Sequence, residues 1–144
     1  MIRKAEKSDA VKIAPLVKKL WPEHSAQELI RIIEEYMGNA NSCVYVCETG
    51  EDLIGTALCC LRCDYVEGCD TSPVGYLEGV FVEEAYRRQG IACALVKECE
   101  EWAKEKGCSE FASDCELTNT TSLHFHLDIG FEEENRLICF KKRI

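Results

Sequence analysis

The chain is short of positive charge. Seventeen Lys and Arg stand against 26 Asp and Glu, for a formal net charge of −9. That balance argues against nucleic acid as a partner, because a phosphate backbone is held by neutralising cations. It would suit a small polycation, and it also serves simply to keep a protein soluble. Long hydrophobic runs are missing too. No stretch approaches the roughly 18 apolar residues of a transmembrane helix, so no membrane span is expected. The opening Met1-Ile2-Arg3-Lys4-Ala5-Glu6-Lys7 has no apolar core behind its basic residues. It therefore does not read as a secretory signal, and the cytoplasm is the expected location. Repeats, linkers and low-complexity segments are also absent. One C-x-x-C occurs, Cys60-Leu61-Arg62-Cys63, with no second to complete a zinc site. Its odd spacing would put the two sulfurs on opposite faces of a strand, so no metal is expected.

Cysteine itself is plentiful, with 11 in the chain. The number is odd, and Cys43, Cys47, Cys59, Cys93, Cys99 and Cys139 fall inside apolar strand or helix patterns. There they read as small buried hydrophobes in a reducing compartment, not as a disulfide framework. A length of 144 residues predicts one domain, 1–144, with a core of its own.

Periodicity gives the element order. Met1 to Lys4 reads as a short strand. A helix capped by Ser8 or Asp9 runs to about Leu20, and Trp21-Pro22-Glu23-His24 breaks it. Ser25-Ala26-Gln27-Glu28 is a capping box that starts a second helix, which fades at Gly38. Cys43 to Glu48 and Leu53 to Arg62 form a hairpin, and a polar loop from Asp64 to Pro73 leads into a strand from Val74 to Val82. A helix from Ile91 ends at Gly107, a short strand covers Phe111 to Asp114, and Thr120 to Ile129 is helical. A final strand is expected at Leu137 to Lys141, and a further short one at Phe131 to Glu133.

The most informative stretch joins the fourth strand to the third helix. Gly75-Tyr76-Leu77-Glu78-Gly79-Val80-Phe81-Val82 is followed, after Glu83 and Glu84, by Arg87-Arg88-Gln89-Gly90-Ile91-Ala92. The N–H groups that open a helix lack internal partners and lie at its positive end, so they favour an anion. Gly90 removes the side chain that would block a close approach, while Arg87 and Arg88 add fork-shaped donors.

This Arg-x-x-Gly-x-Ala spelling resembles the pyrophosphate loop of the GNAT acetyltransferase superfamily. Four longer segments are similar to the aminoglycoside 6′-N-acetyltransferases within it. They are Leu20 to His24, Asp64 to Val74, Tyr76 to Val82, and Ala112-Ser113-Asp114 with Asn119 and Gly130-Phe131-Glu132-Glu133. The resemblance implies an α+β fold, in which a mixed central β-sheet is flanked by about four helices. Acetyl-CoA would lie beside the loop after the fourth strand, held by Arg87, Arg88, Gln89, Gly90, Ile91 and Ala92. The main chains of Val80 and Val82 would bond its pantetheine arm, and an N–H near Val80 would face the thioester oxygen. Asn119 would bond the pantetheine amide, although an N-cap for the helix at Thr120 accounts for it equally. The resemblance also implies a homodimer.

The implied reaction is direct attack of an amine on the thioester, which needs positioning, a proton acceptor and help for the leaving thiolate. Asp114 is the expected base, and a loop-capping aspartate is the plain alternative. Glu78, mid-strand, calls for a partner: the cationic amines of a bound sugar, a water chain to the reacting amine that would make it catalytic, or, plainly, a structural arginine. Many superfamily members carry a tyrosine acid four residues before the Gly-Phe of the last helix. Here that residue is His126, so the tyrosine role does not carry over: either His126 donates the proton or the thiolate leaves with other help. Trp21, His24, Tyr65, Glu67 and Asp70, with Glu78 and Asp114, would wall an amino-sugar site. Trp21 serves equally as core, and Glu67 and Asp70 equally as solvated loop charges. The competing functions are transfer to a polyamine, a peptide N-terminus or a lysine, and a non-catalytic CoA-binding module.

Overall fold

The computed structural model describes residues 1–144. Five strands, β1 (Ile2–Lys4), β2 (Ser42–Thr49), β3 (Asp52–Arg62), β4 (Val74–Val82) and β5 (Phe111–Ser113), form one sheet in the order β1-β2-β3-β4-β5. β1 to β4 pair antiparallel, and β5 joins β4 in parallel through the crossover helix. The helices are α1 (Ala10–Lys18), α2 (Ala26–Gly38), α3 (Ile91–Glu105) and α4 (Thr120–Asp128). None of them is long and apolar enough to cross a membrane.

Side chains alternate across the sheet because a strand has a period of two. On β2, Cys43 and Cys47 face one side, where they pack with Leu95, Val96, Cys99 and Trp102 of α3. Val44 and Val46 face the other side, against Ile13 and Val17 of α1 and Leu29 and Ile33 of α2. Each apolar helical stripe thus buries itself on one face of the sheet. All 11 cysteines are free; Cys43, Cys47, Cys59, Cys99 and Cys108 are buried as apolar filler, whereas Cys93 and Cys139, expected to be buried, are exposed.

Several boundaries differ from expectation. α1 begins after a short 3-10 turn and stops at Lys18, two residues before Leu20. Neither Phe131 to Glu133 nor Leu137 to Lys141 forms a strand. Residues 132–144 donate and accept no backbone hydrogen bond to the sheet. Leu137, Ile138 and Phe140 are 63%, 81% and 90% exposed. A strand needs a neighbour for its ladder, and this run of apolar letters has none within its own chain.

Candidate active site

Between β4 and α3 the chain makes a 3-10 turn (Glu84–Tyr86) and then the Arg-Gly loop. Arg88 holds φ at +61°, which a residue with a Cβ adopts at a cost, and Gly90 holds +78° as the N-cap of α3. A Cβ built on Gly90 would meet no protein atom within 4 Å, so the space in front of the loop is open. The first helical bond here runs from Ala94 N–H to the Gly90 carbonyl, leaving the N–H groups before it without an intrahelical partner. Arg87 is anchored by Nε, which donates to the Val82 carbonyl at 2.9 Å, and its guanidinium lies over the Phe81 ring. Its remaining N–H groups, with exposed Arg88 and Gln89, stay available to an anion. An open space, positive-φ backbone and two arginines together fit a pyrophosphate.

β4 is bent where the site begins. Leu58 pairs with Gly79 and Cys59 pairs with Leu77, so Glu78 is the extra, unpaired residue of a β-bulge. On its other edge β4 pairs with β5 only from Gly75 to Leu77. Beyond Leu77 that edge is open, and the main chains of Val80 and Val82 are held only through β3, opposite Ala57 and Gly55. Gly79 lets the break after α1 close over this point. A Cβ there would lie 2.9 Å from Leu20 Cδ1 and 3.6 Å from Trp21 Cζ2. Trp21 thereby sits beside the bulge.

Glu78 has a structural partner. Arg62 Nη2 donates to its Oε1 at 2.7 Å, and the Cys60 thiol donates to the same oxygen at 3.1 Å. Burial and this contact push the Cys60 thiol up to about 12, which keeps it a protonated donor and not a nucleophile. The Arg62 guanidinium stacks 3.3 Å from the centre of the Tyr76 ring. The Tyr76 hydroxyl in turn donates to Oδ2 of Asp114, which follows β5 and is exposed. The two expected carboxylates are therefore tied into one network, Cys60–Glu78–Arg62–Tyr76–Asp114. A polar cavity of about 390 Å³ opens beside it, lined by residues that include Tyr36, Asn39, Asn41 and Cys60.

His126 lies on α4 and reaches Ser113, not Asp114. Its Nδ1 is 2.7 Å from the Ser122 carbonyl, an acceptor, so Nδ1 carries a proton. Its Nε2 is 2.8 Å from Ser113 Oγ, and that hydroxyl is also within 3.1 Å of the Leu77 carbonyl. A neutral His126 accepts from Ser113. The Ser113 hydroxyl thus has two partners in reach, His126 Nε2 and the Leu77 carbonyl, where β4 and β5 part company.

The other expected residues are less concentrated. Asn119 uses its side-chain oxygen to cap α4, accepting from Ser122 N–H at 3.0 Å. Its amide nitrogen makes no hydrogen bond within the chain, and the residue is exposed. His24 contacts Glu28 at 3.1 Å within its own turn and makes no bond to the network. In the 63–73 loop, buried Val66 packs with Tyr76 and places Tyr65 and Glu67 on either side of it. Tyr65 donates to Glu67 at 3.1 Å, and Asn135 donates to the same carboxylate at 2.8 Å. The Asp70 main chain is pinned by Glu110 at 3.0 Å. Arg62, Tyr76, Cys60 and Ser113 hydrogen-bond the candidate residues and were not among those expected from the sequence. Alternation along β3 and β4 puts Cys60 opposite Tyr76, a signal readable only once the register across the loop is known.

The acetyltransferase (GNAT) family pattern matches residues 10–131. An aminoglycoside N(6′)-acetyltransferase type 1 from Salmonella enteritidis is 37% identical over 142 residues, covering 99% of this chain and 98% of that one. One of the same description from Acinetobacter baumannii is 41% identical over 129 residues, covering 87% and 86%. Among solved structures, aminoglycoside N-acetyltransferase AAC(6′)-Iy in complex with CoA superposes with a TM-score of 0.96 at 37% identity, covering 100% of this chain and 95% of that one. The same enzyme bound to the bisubstrate analogue CoA-S-monomethyl-acetylneamine gives 0.95 at 37% identity, covering 100% and 98%. With its β4 bulge, its Arg-Gly loop and these relatives along nearly its whole length, the chain belongs to the GNAT acetyltransferase family.

Proposed function

We propose that the protein transfers the acetyl group of acetyl-CoA to the 6′-amine of aminoglycoside antibiotics and so confers resistance to them. One observation carries the reading. A single bent strand, β4, leads to an anion cradle at its end and bears a carboxylate network at its bulge, with an open edge between them. That order matches a long thiol ester whose phosphates and reacting carbon lie far apart. Relatives over nearly the whole chain carry the same activity in their descriptions.

Each residue then has a task. Arg87, Arg88, Gln89 and the N–H groups of Gly90, Ile91 and Ala92 bind the pyrophosphate. The open main chains of Val80 and Val82, with Asn119, align the pantetheine arm, and an N–H near Val80 donates to the thioester oxygen. Asp114 takes the proton of the attacking amine through Oδ1, which makes no hydrogen bond within the chain. The new N–C bond forms and the C–S bond breaks; the Ser113–His126 pair gives a proton to the leaving sulfur and regains one from solvent, to which Asp114 passes the amine proton. Glu78 keeps capacity for an ammonium group at Oε2, while Trp21, His24, Tyr65, Glu67 and Asp70 supply an aromatic and acidic wall. Release of free thiol from acetyl-CoA tests the reading. It should appear with kanamycin and not with spermine or a lysine peptide.

We further infer a homodimer, and its carrier is the unpaired C-terminal arm. Leu137, Ile138 and Phe140 are exposed, and the charges from residue 136 onward, on Arg136, Lys141, Lys142 and Arg143, are all basic in a chain of net charge −9. β5 closes the sheet and leaves one edge unpaired. An apolar, basic segment with strand-forming letters and no neighbour, beside an open edge on an acidic body, suits a second copy of the same chain. Light scattering should give a dimer for the full chain and a monomer for one ending at Arg136. A monomeric full chain would refute it.

A further inference from the structure

We propose that Tyr76 is a positioning residue for Asp114, fixing the carboxylate at which the acceptor amine loses its proton. The inference rests on the functional reading above and extends it to a residue to which that reading gives no task.

Asp114 has little to hold it. It lies just past a strand of three residues, its side chain is exposed, and its one side-chain hydrogen bond comes from the Tyr76 hydroxyl. Tyr76 is fixed on every side. It is 6% exposed and packs with Val66 and Val74, its main chain pairs with Cys60 on β3 and Ala112 on β5, and Arg62 covers one face of its ring. Arg62 is in turn tied to Glu78 at 2.7 Å. The phenol therefore reaches Asp114 from a rigid base, and it takes only Oδ2, leaving Oδ1 for the substrate. Burial, and then the bond to Asp114, raise the phenol far above its ordinary range, so it remains a donor at every pH at which an amine acetyltransferase works. A carboxylate displaced by even about 1 Å from its productive position loses much of its effect on the rate.

Tyr76→Phe removes one oxygen and keeps the ring under Arg62. With kanamycin as acceptor, kcat is expected to fall roughly tenfold or more, the worth of one hydrogen bond to a charged group. KM for kanamycin and affinity for acetyl-CoA should stay within about twofold, and the melting temperature close to that of the parent protein. In the double variant with Asp114→Asn, kcat should be no lower than for Asp114→Asn alone, because a positioning residue has nothing left to position. Parental kcat in Tyr76→Phe, a loss confined to KM, or losses that multiply in the double variant would each overturn the proposal. A parent protein inactive on every aminoglycoside would overturn the functional reading instead. An active parent with an unimpaired Tyr76→Phe overturns only the positioning role.

Discussion

Asp114→Asn should lower kcat by about 10²–10⁴, the usual worth of a general base, with a much smaller change in substrate affinity. The substitution keeps the shape of the side chain and an oxygen for the Tyr76 hydroxyl, so the network around it should survive. What disappears is the atom that takes the proton. The deficit should shrink as pH rises from about 6 to about 10, because free amine becomes more abundant and a base matters less. A deficit that stays constant over that range would assign the loss to positioning or to thioester polarisation. Glu78→Gln should behave differently. Glu78 already carries Arg62 and Cys60 on one oxygen and offers the other to a cation, so KM for the aminoglycoside should rise more than kcat falls. If Glu78→Gln fails in kcat and Asp114→Asn in KM, the two roles are exchanged.

Gly90→Val should reduce affinity for acetyl-CoA by more than about tenfold, the loss expected when one charge-assisted hydrogen bond is prevented. Two effects add. At φ +78° a side chain strains the backbone by about 1–2 kcal/mol, which a folded domain tolerates. The branched carbons would also project into the open space in front of the helix, the volume assigned to the pyrophosphate. Nothing in the protein competes for that space, so the fold should survive the change. Isothermal titration checks it, and a folded variant with undiminished affinity would remove the phosphates from this loop.

The elements legible in the sequence are those whose signal is local. The run from Gly75 to Val82 reads as a buried strand, and Gly90 after two arginines reads as the start of an anion-binding helix. Both depend on neighbouring residues, as do the stripes of α1 and α3 and the Ser25 cap of α2. What escaped depends on partners far along the chain. The strand expected at Leu137 to Lys141 has the right letters and no neighbour, and letters cannot supply one. The partner of Glu78 is Arg62, across the 63–73 loop, where hairpin register cannot be counted from turn chemistry. The bulge at Glu78 and the bond from Tyr76 to Asp114 follow from that same register. Asn119 was readable both as cap and as ligand, and the structure shows the cap.

The central claim is acetyl transfer to one particular amine, and the direct measurement is free-thiol release from acetyl-CoA with matched acceptors. Kanamycin, a gentamicin component bearing a 6′-amine, the analogue with a 6′-hydroxyl, spermine and a lysine peptide would be compared, and each product located by NMR. The account predicts rapid thiol release with the two 6′-amino compounds, the acetyl group on the 6′-nitrogen, and near-background release with the other three. Acetylation of the 6′-hydroxyl analogue at another amine, or faster turnover of spermine or the peptide, would contradict it.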